Sequence, residues 1–522
     1  MNTFFTIEMA LWLFAAVAAF IIGSAITLRS WLRFARRARG ELGYALPRQG
    51  PPTALEQIFD SLEVGNPGLN GVMSLFDNSD AFAVRVHSAQ LAGRSLDVMT
   101  YIWRTDLTGW LLLRDVLAAA DRGVRVRLLL DDVAIQGFDP VFFALSQHKN
   151  IEVRLFNPLR NRGNLLRRVL ETALGLSRYN RRLHSKAWIV DGRLGIVGGR
   201  NISDTYFGRL GRGIPGIRPR ISHDADLVLC GPCVTELEAV FDSYWNLSLS
   251  LPIKALLPTL KISLKWFRRQ VTKRCNATEA VDFFSDSVGD INAATALTKG
   301  MHWVKNVWVL ADPPEKALGQ KKSAWMYEKV RDFLASAQQD VRLITPYFVP
   351  GVDGSKDLEK IVRRGVNLSI LTNSLAASDN ILVHGAYRHY RRPLLALGAR
   401  LFEFAPRRQK GMRRDVLHSK VFIVDHSKIL IGSLNFDMRS AHTNAELGVI
   451  VEHPALAAEA LAAFDRDSGP DQAYALSYED KAIIWRVAHP KIPFRMTVEP
   501  EAPVVWRALS WTVGHLPIHG WL

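Results

Sequence analysis

Leu183–Asn201 reads LHSKAWIVDGRLGIVGGRN, and Leu417–Asn435 reads LHSKVFIVDHSKILIGSLN. Each copy sets a histidine two residues ahead of a lysine and an aspartate five residues beyond that lysine: His184, Lys186 and Asp191, then His418, Lys420 and Asp425. A neutral imidazole can attack phosphorus and hold it covalently, dividing one difficult displacement into two easier ones. A second, protonated imidazole can give its proton to the departing alkoxide and later take one from the incoming alcohol. That division needs two histidines. Lys186 and Lys420, with Asn201 and Asn435 at the ends of the two copies, offer charge and donors to non-bridging oxygens as charge builds there. Such chemistry calls for no metal ion and no cofactor.

Both copies read as an apolar strand, a polar turn and a second apolar strand closed by a glycine-bearing break, the pattern of a tight β-hairpin. Side chains alternate along a strand, so His184 and Lys186 share a face, as do His418 and Lys420. Asp191 and Asp425 sit at an odd offset from those pairs, at the turn, where a structural role is expected. An attacking histidine needs an acceptor on its second ring nitrogen to fix its tautomer. Aligning HDADLVLCGP with NAELGVIVEHP on Pro232 and Pro454 sets Asp224 opposite Glu446, each eight residues before its proline. These acids are predicted to orient the histidines, with Asp226 as the alternative in the first half.

The elements that must position these residues also repeat. TYIW at Thr100–Trp103 corresponds to TPYFV at Thr345–Val349, and DRGVRVRLLLDD to RRGVNLSILTNS, each ahead of its hairpin. The pattern predicts helices over Asp80–Ala92, Gly109–Asp121, Met326–Gln338 and Lys356–Arg364. Strands are predicted over Leu96–Trp103, 124–132, 341–349 and 366–373. Alternating strands and helices argue for an α/β sandwich. The period exceeds two hundred residues, so two pseudo-symmetric domains are expected rather than a solenoid. A pseudo-two-fold axis would bring both histidine–lysine pairs into one cleft. The expected organisation is a membrane anchor and basic juxtamembrane stretch at 1–40, a first domain at 41–250, a basic connection at 251–300, a second domain at 301–480 and a tryptophan-rich membrane-interface tail at 481–522.

The 522 residues are 48% apolar and 22% charged, enough for a large core and two or three domains. The formal charge of +16 implies anionic partners: nucleic acid, acidic lipid or phosphorylated substrates. Cys230, Cys233 and Cys275 form no even framework and read as reduced, half-buried thiols. Met9–Leu28 carries no charge and is long enough to cross a hydrocarbon core, and Arg29, Arg33, Arg36, Arg37 and Arg39 follow it. An uncleaved single-pass anchor is expected, with its N-terminus outside and the catalytic domains cytoplasmic. Those arginines can rest on anionic headgroups, worth about 1 kcal/mol each. Gly208–Arg220 reads as an irregular loop, either mobile or bringing arginines to a phosphate. Pro252–Arg274 reads as an amphipathic surface stretch or a solvated linker. The tail from Ala482 suits a headgroup layer, with Val504–Leu522 read as an interfacial helix and hairpin near the cleft mouth.

LHSKAWIVD with GGRN, and LHSKVFIVD with GSLNFDMRS, resemble the paired signatures of the phospholipase D superfamily, and closely its bacterial cardiolipin synthase branch. The resemblance runs from about Gly71 to the C-terminus, supported by Ser95–Trp103 and by Ser374–Phe404. It implies two phospholipase D-like α/β sandwich domains sharing one cleft and a metal-free phosphatidyl transfer, with His184 the nucleophile and His418 the acid. The implied substrates are phosphatidylglycerol and a second phospholipid such as phosphatidylethanolamine; the apolar anchor, its arginines and the tryptophan-rich tail set the expected site at an anionic surface of the cell inner membrane, with no nucleic acid expected. Cardiolipin synthases of this branch often carry two N-terminal transmembrane segments. One is read here, which leaves the donor lipid open. Hydrolysis by a phospholipase D is the nearest alternative, followed by a nucleic-acid phosphodiesterase and a catalytically idle lipid-binding membrane protein.

Overall fold

A computed structural model describes residues 2–209, 220–289, 291–320, 325–406, 414–486 and 495–516. The described residues form two large sheets built to one plan. From Asn70–Leu75 to Ser250–Pro252 in the first, and from Val307–Ala311 to Ala473–Glu479 in the second, eight strands follow in the same order. The relative directions agree as well: Ser95–Thr100, Arg125–Asp131 and Ile151–Phe156 run parallel, as do Asp340–Ile344, Asn367–Asn373 and Arg400–Phe404. Each hairpin is antiparallel and pairs with the first of those parallel strands. The first sheet gains His302–Val304 at one edge, and the second gains Ala482–Arg486 and Arg495–Met496 at the other.

Strand alternation decides how the halves meet. In the second sheet Phe422, Val424 and Leu430 belong to a core formed with that half's own helices. Their neighbours Val421, Ile423, Ile429 and Ile431, with Val449 and Val451, belong to one continuous core with Ile196, Leu227 and Leu229 of the first half. The strands of this second hairpin are therefore buried on both faces, and the sheets pack face to face with helices outside. This is the α/β sandwich of two similar halves with an N-terminal apolar helix that the sequence predicts.

Local chemistry sets the element ends. The strand beginning at Asp340 stops at Ile344 because Pro346 has no N–H for a ladder, while the next helix starts early, at Gly351, directly after Pro350. Asp77 accepts from Ser79 N and Asp80 N and starts its helix at Asn78. Both hairpins turn through left-handed residues, Asp191 and Gly192 in the first and Asp425 and His426 in the second. The turn aspartates are structural acceptors. Asp191 takes bonds from the backbone N–H groups of Gly93, Arg94 and Ser95 and from Thr53 Oγ1. Asp425 takes them from Gln338, Gln339 and Asp340.

The N-terminal helix spans Asn2–Ala38, and most of its apolar stretch is exposed. Its lower end is fixed to the first half. Trp31 is buried, donates Nε1 to Pro158 O at 2.9 Å and lies under the Arg178 guanidinium. Pro252–Arg274 contains a short helix and the helix Leu264–Cys275, whose Phe267 and Val271 are turned into the protein beside Trp110. The loop read at Gly208–Arg220 falls outside the described residues between 210 and 219. The tail helix Val504–Gly514 lies on the helix Ile381–Ala396, with Gly385 and Gly514 at the point of closest approach. Residues 517–522, read as part of a terminal hairpin, also lie outside the described residues. All three cysteines are free and buried.

Candidate active site

Each histidine–lysine segment is docked on the opposite half of the molecule. His184 N and Ser185 Oγ both donate to the carbonyl of Ala445, at 2.9 and 3.0 Å. His418 N and Ser419 Oγ both donate to the carbonyl of His223, at 2.8 and 3.0 Å. The serine between histidine and lysine is thus a clamp across the pseudo-two-fold axis. A two-stranded parallel ladder, Arg220–His223 with Arg414–Leu417, extends one of these contacts. An isolated bridge, Leu183 with Ala445, marks the other. Histidine and lysine sit in the extended run just before each strand, since the strands themselves are Ala187–Val190 and Val421–Val424.

The residue after each clamped carbonyl is an acid that bonds the histidine of the other half, so the acids are exchanged between halves. Glu446 accepts from His184 Nδ1 at 2.9 Å, and Asp224 accepts from His418 Nδ1 at 2.6 Å. For His184, neither Asp224 nor its alternative Asp226 is the partner. Asp226 lies instead against Arg85 at 2.8 Å and Arg200 at 3.3 Å, inside the first half. The exchange follows from the backbone clamp: a histidine bonded to residue 445 or 223 has residue 446 or 224 as its neighbour.

Both acids are fully enclosed. Glu446 also accepts from Ser433 Oγ and from Ser440 Oγ, and its own N–H donates to Asp312. Asp224 accepts from Ala225 N at 2.9 Å, and a Cβ at Gly199 would lie 2.2 Å from its Oδ1. The small residues shared by the two copies therefore serve the acids: Gly199 leaves room, and Ser433 donates. Burial pushes both carboxyls up, but the neighbouring imidazoles and lysines outweigh it, holding Asp224 below the usual range and Glu446 at about 2. Burial pushes His184 down to about 4, aided by Lys186 and opposed by Glu446. At neutral pH the pair is a neutral imidazole donating Nδ1–H to a carboxylate, which leaves the Nε2 lone pair free. His418 is also held low, by burial and then by Lys420.

Lys186 Nζ donates to His184 O at 2.6 Å and lies 5.5 Å from the Tyr101 ring centroid. Lys420 Nζ lies 2.8 Å from His418 Nδ1 and donates to the His418 carbonyl. Burial, then Lys420, brings Lys186 down to about 7, so the charges of the two halves act on one another in one cleft. Asn201 Nδ2 donates to Tyr206 Oη at 3.0 Å, and that hydroxyl reaches His418 Nε2 at 3.4 Å. Asn435 is buried, its N–H donating to Ser440 Oγ. The sequence reading missed the aromatic walls, Tyr101 edge-on to His184 and Tyr206 edge-on to His418. Tyr101 lies within the repeated TYIW stretch, which was available as a signal; Tyr206, beyond the hairpin, has no repeat partner to single it out.

Among the described residues, His384, Glu403 and Glu499 bring three ligand atoms within 4.8 Å of one another. Arg391 bonds all three, at 3.0, 2.7 and 2.7 Å, so the cation there is one the chain supplies. His384 is thereby a packed histidine that ties the tail to its helix, with Nδ1 3.1 Å from Ser510 Oγ.

Comparison with known proteins adds family to geometry. The family description "Cardiolipin synthase, PLD-like domain" matches residues 85–245 and 330–468, which take in both histidine–lysine segments. Cardiolipin synthase C of Escherichia coli (strain K12) is 37% identical over 412 residues, 75% of this chain and 83% of its own. Cardiolipin synthase A of Salmonella arizonae is 24% identical over 399 residues, 76% of this chain and 68% of its own. In fold, the chain is similar to the phosphatidylserine synthase of Haemophilus influenzae Rd KW20, with a TM-score of 0.53 at 14% identity, covering 81% of this chain and 92% of that one.

Proposed function

The chain belongs to the phospholipase D-like cardiolipin synthase family, and from that premise we propose that it is a membrane-anchored phosphatidyltransferase that makes cardiolipin. The observation that carries the reading is the pair of imidazoles, each held on Nδ1 by a buried carboxylate from the opposite half. That is the arrangement a double displacement needs: two oriented bases in one enclosed cleft.

His184 Nε2 attacks the phosphorus of the donor lipid. As the N–P bond forms, the P–O bond to the donor's headgroup alcohol breaks, and His418 delivers a proton to that oxygen. The anionic phosphodiester itself supports the protonated state of His418, because negative charge beside an imidazole raises its pKa. In the second half-reaction His418 takes the proton from a hydroxyl of phosphatidylglycerol, whose oxygen attacks phosphorus while the N–P bond breaks. With phosphatidylglycerol as donor, two phosphatidylglycerols become cardiolipin and glycerol; with phosphatidylethanolamine as donor, the released alcohol is ethanolamine. Lys186 and Lys420 face the non-bridging oxygens in both steps. Asn435 and Asn201 are further donors to these oxygens; one Asn201 amide hydrogen is engaged with Tyr206 and the second is available.

The apolar N-terminal helix and the arginines after it support a single-pass anchor in the cell inner membrane with the catalytic halves on the cytoplasmic side. The exposed Val504, Val505, Leu509 and Trp511 of the tail helix support contact with the headgroup layer. Purified protein in vesicles of labelled phosphatidylglycerol, with and without phosphatidylethanolamine, tests the activity. Labelled cardiolipin is the expected product. Phosphatidic acid alone would make the protein a hydrolase, and no product would remove the transfer reading.

A further inference from the structure

The helix Leu165–Leu174 has no counterpart in the mechanism, yet it is the most amphipathic exposed segment outside the termini. Leu165, Leu166, Val169 and Leu170 are each at least half exposed and fall at i, i+1, i+4 and i+5, with Ala173 and Leu176 continuing the stripe. The opposite side is fastened to the protein. Glu171 is buried and accepts from the N–H groups of Arg160 and Asn161, and Asn164 caps the helix by accepting from Arg167 N. A soluble surface helix presents its polar side to water. This one presents leucines.

What covers that face is indicated by its neighbour. Leu174 packs on Gly23 of the N-terminal helix, where an added Cβ would be 3.3 Å from Leu174 Cδ2. Gly23 lies five residues inside the uncharged stretch that ends at Leu28, about 8 Å at 1.5 Å per residue. Helices lying in the membrane plane bury their apolar face to about 5–10 Å, so the contact fixes the depth. Below it Arg29, Arg33 and Arg37 stand at i, i+4 and i+8, and Arg160, arriving from the loop before the amphipathic helix, lies over the Phe34 ring at 5.0 Å. Together they line a cavity of about 460 Å³, and among the described residues none of these four guanidinium groups pairs with a carboxylate. Like charges at this spacing repel one another unless an anion lies between them.

We infer that Leu165–Leu174 is a second, in-plane membrane anchor and that the arginine cavity beside it seats the phosphate of an anionic phospholipid of the bilayer. This rests on the membrane-anchor reading of Asn2–Ala38. The two anchors are joined through Trp31 and Arg178, and Arg178 stands six residues before His184. The same segment that enters the bilayer thus leads directly to the catalytic histidine, and the lipid surface sets the pose of the cleft.

Because the native cysteines are buried, nitroxide labels can be placed one at a time on full-length protein in vesicles at Val169→Cys, at Phe14→Cys in the apolar helix, and at the exposed Lys360→Cys. Access to oxygen against access to a water-soluble nickel chelate is then read at each label. Expected is a lipid-like ratio at Val169, close to that at Phe14, and a water-like ratio at Lys360. A water-like ratio at Val169 with a lipid-like one at Phe14 overturns the second anchor and leaves the first. Water-like ratios at both overturn the anchor reading and this inference with it. The Val169 ratio should also rise when phosphatidylglycerol is added to phosphatidylcholine vesicles, and the rise should vanish in Arg33→Gln/Arg160→Gln. An equal ratio in both lipids overturns the headgroup site.

Discussion

Glu446 and Asp224 are recognisable in the sequence as acids at matching distances from Pro454 and Pro232, but which histidine each one holds is not. That pairing is made by hydrogen bonds between residues 184 and 445 and between 418 and 223, contacts that no local pattern encodes. Replacing Glu446 by Gln keeps the shape and removes the charge that fixes the His184 tautomer. Glu446→Gln should lower kcat by about 10²–10⁴-fold with a small change in KM, measured on phosphatidylglycerol vesicles; a loss below tenfold would contradict the orienting role. The pH profile has a definite sign. In the proposed mechanism His184 attacks as the neutral nucleophile, so activity should rise as pH climbs through about 4, and Lys186 serves as the ammonium, so activity should fall as pH climbs past about 7. In kcat/KM across that range, a profile that stays level above pH 7 would mean that Lys186 keeps its proton or does not take part. Tyr206 and Ser440 were not legible, since each matters only through a side chain brought to it by folding.

At the scale of elements, the hairpins and parallel strands were readable because apolar alternation and glycine-bearing turns act locally. The errors lie at ends governed by single residues, such as the strand before Pro346, which ends at Ile344 and not at Val349. The tail is different. Its helix is amphipathic on paper, but its docking depends on two glycines meeting, with Gly385 allowing Ser510 O to within 2.8 Å of where a Cβ would stand. Gly385→Leu should force the helices apart, break the His384–Ser510 contact and destabilise the second half by about 1–3 kcal/mol. Thermal unfolding, with protease cleavage of the tail as a second readout, checks this. An unchanged midpoint and an intact tail would show that the close approach is not required.

At the scale of the whole molecule, duplication explains why one chain carries two of everything in the cleft. The repeat announced two similar halves; the face-to-face packing of their sheets, which puts Ile431 and Ile196 in one core, and the exchange of acids are tertiary facts. Neither histidine is complete within its own half. The charge of +16 and the apolar N-terminal helix support the proposal that such a cleft works at an anionic surface, on a lipid substrate at both steps. The most direct test of the two-histidine transfer is to quench the protein in acid during turnover of phosphatidyl-labelled donor and map the label to peptides. The expected result is a covalent phosphatidyl group on the peptide carrying His184, absent in His184→Ala. Label on the His418 peptide instead, or turnover with no covalent label at all, would contradict it.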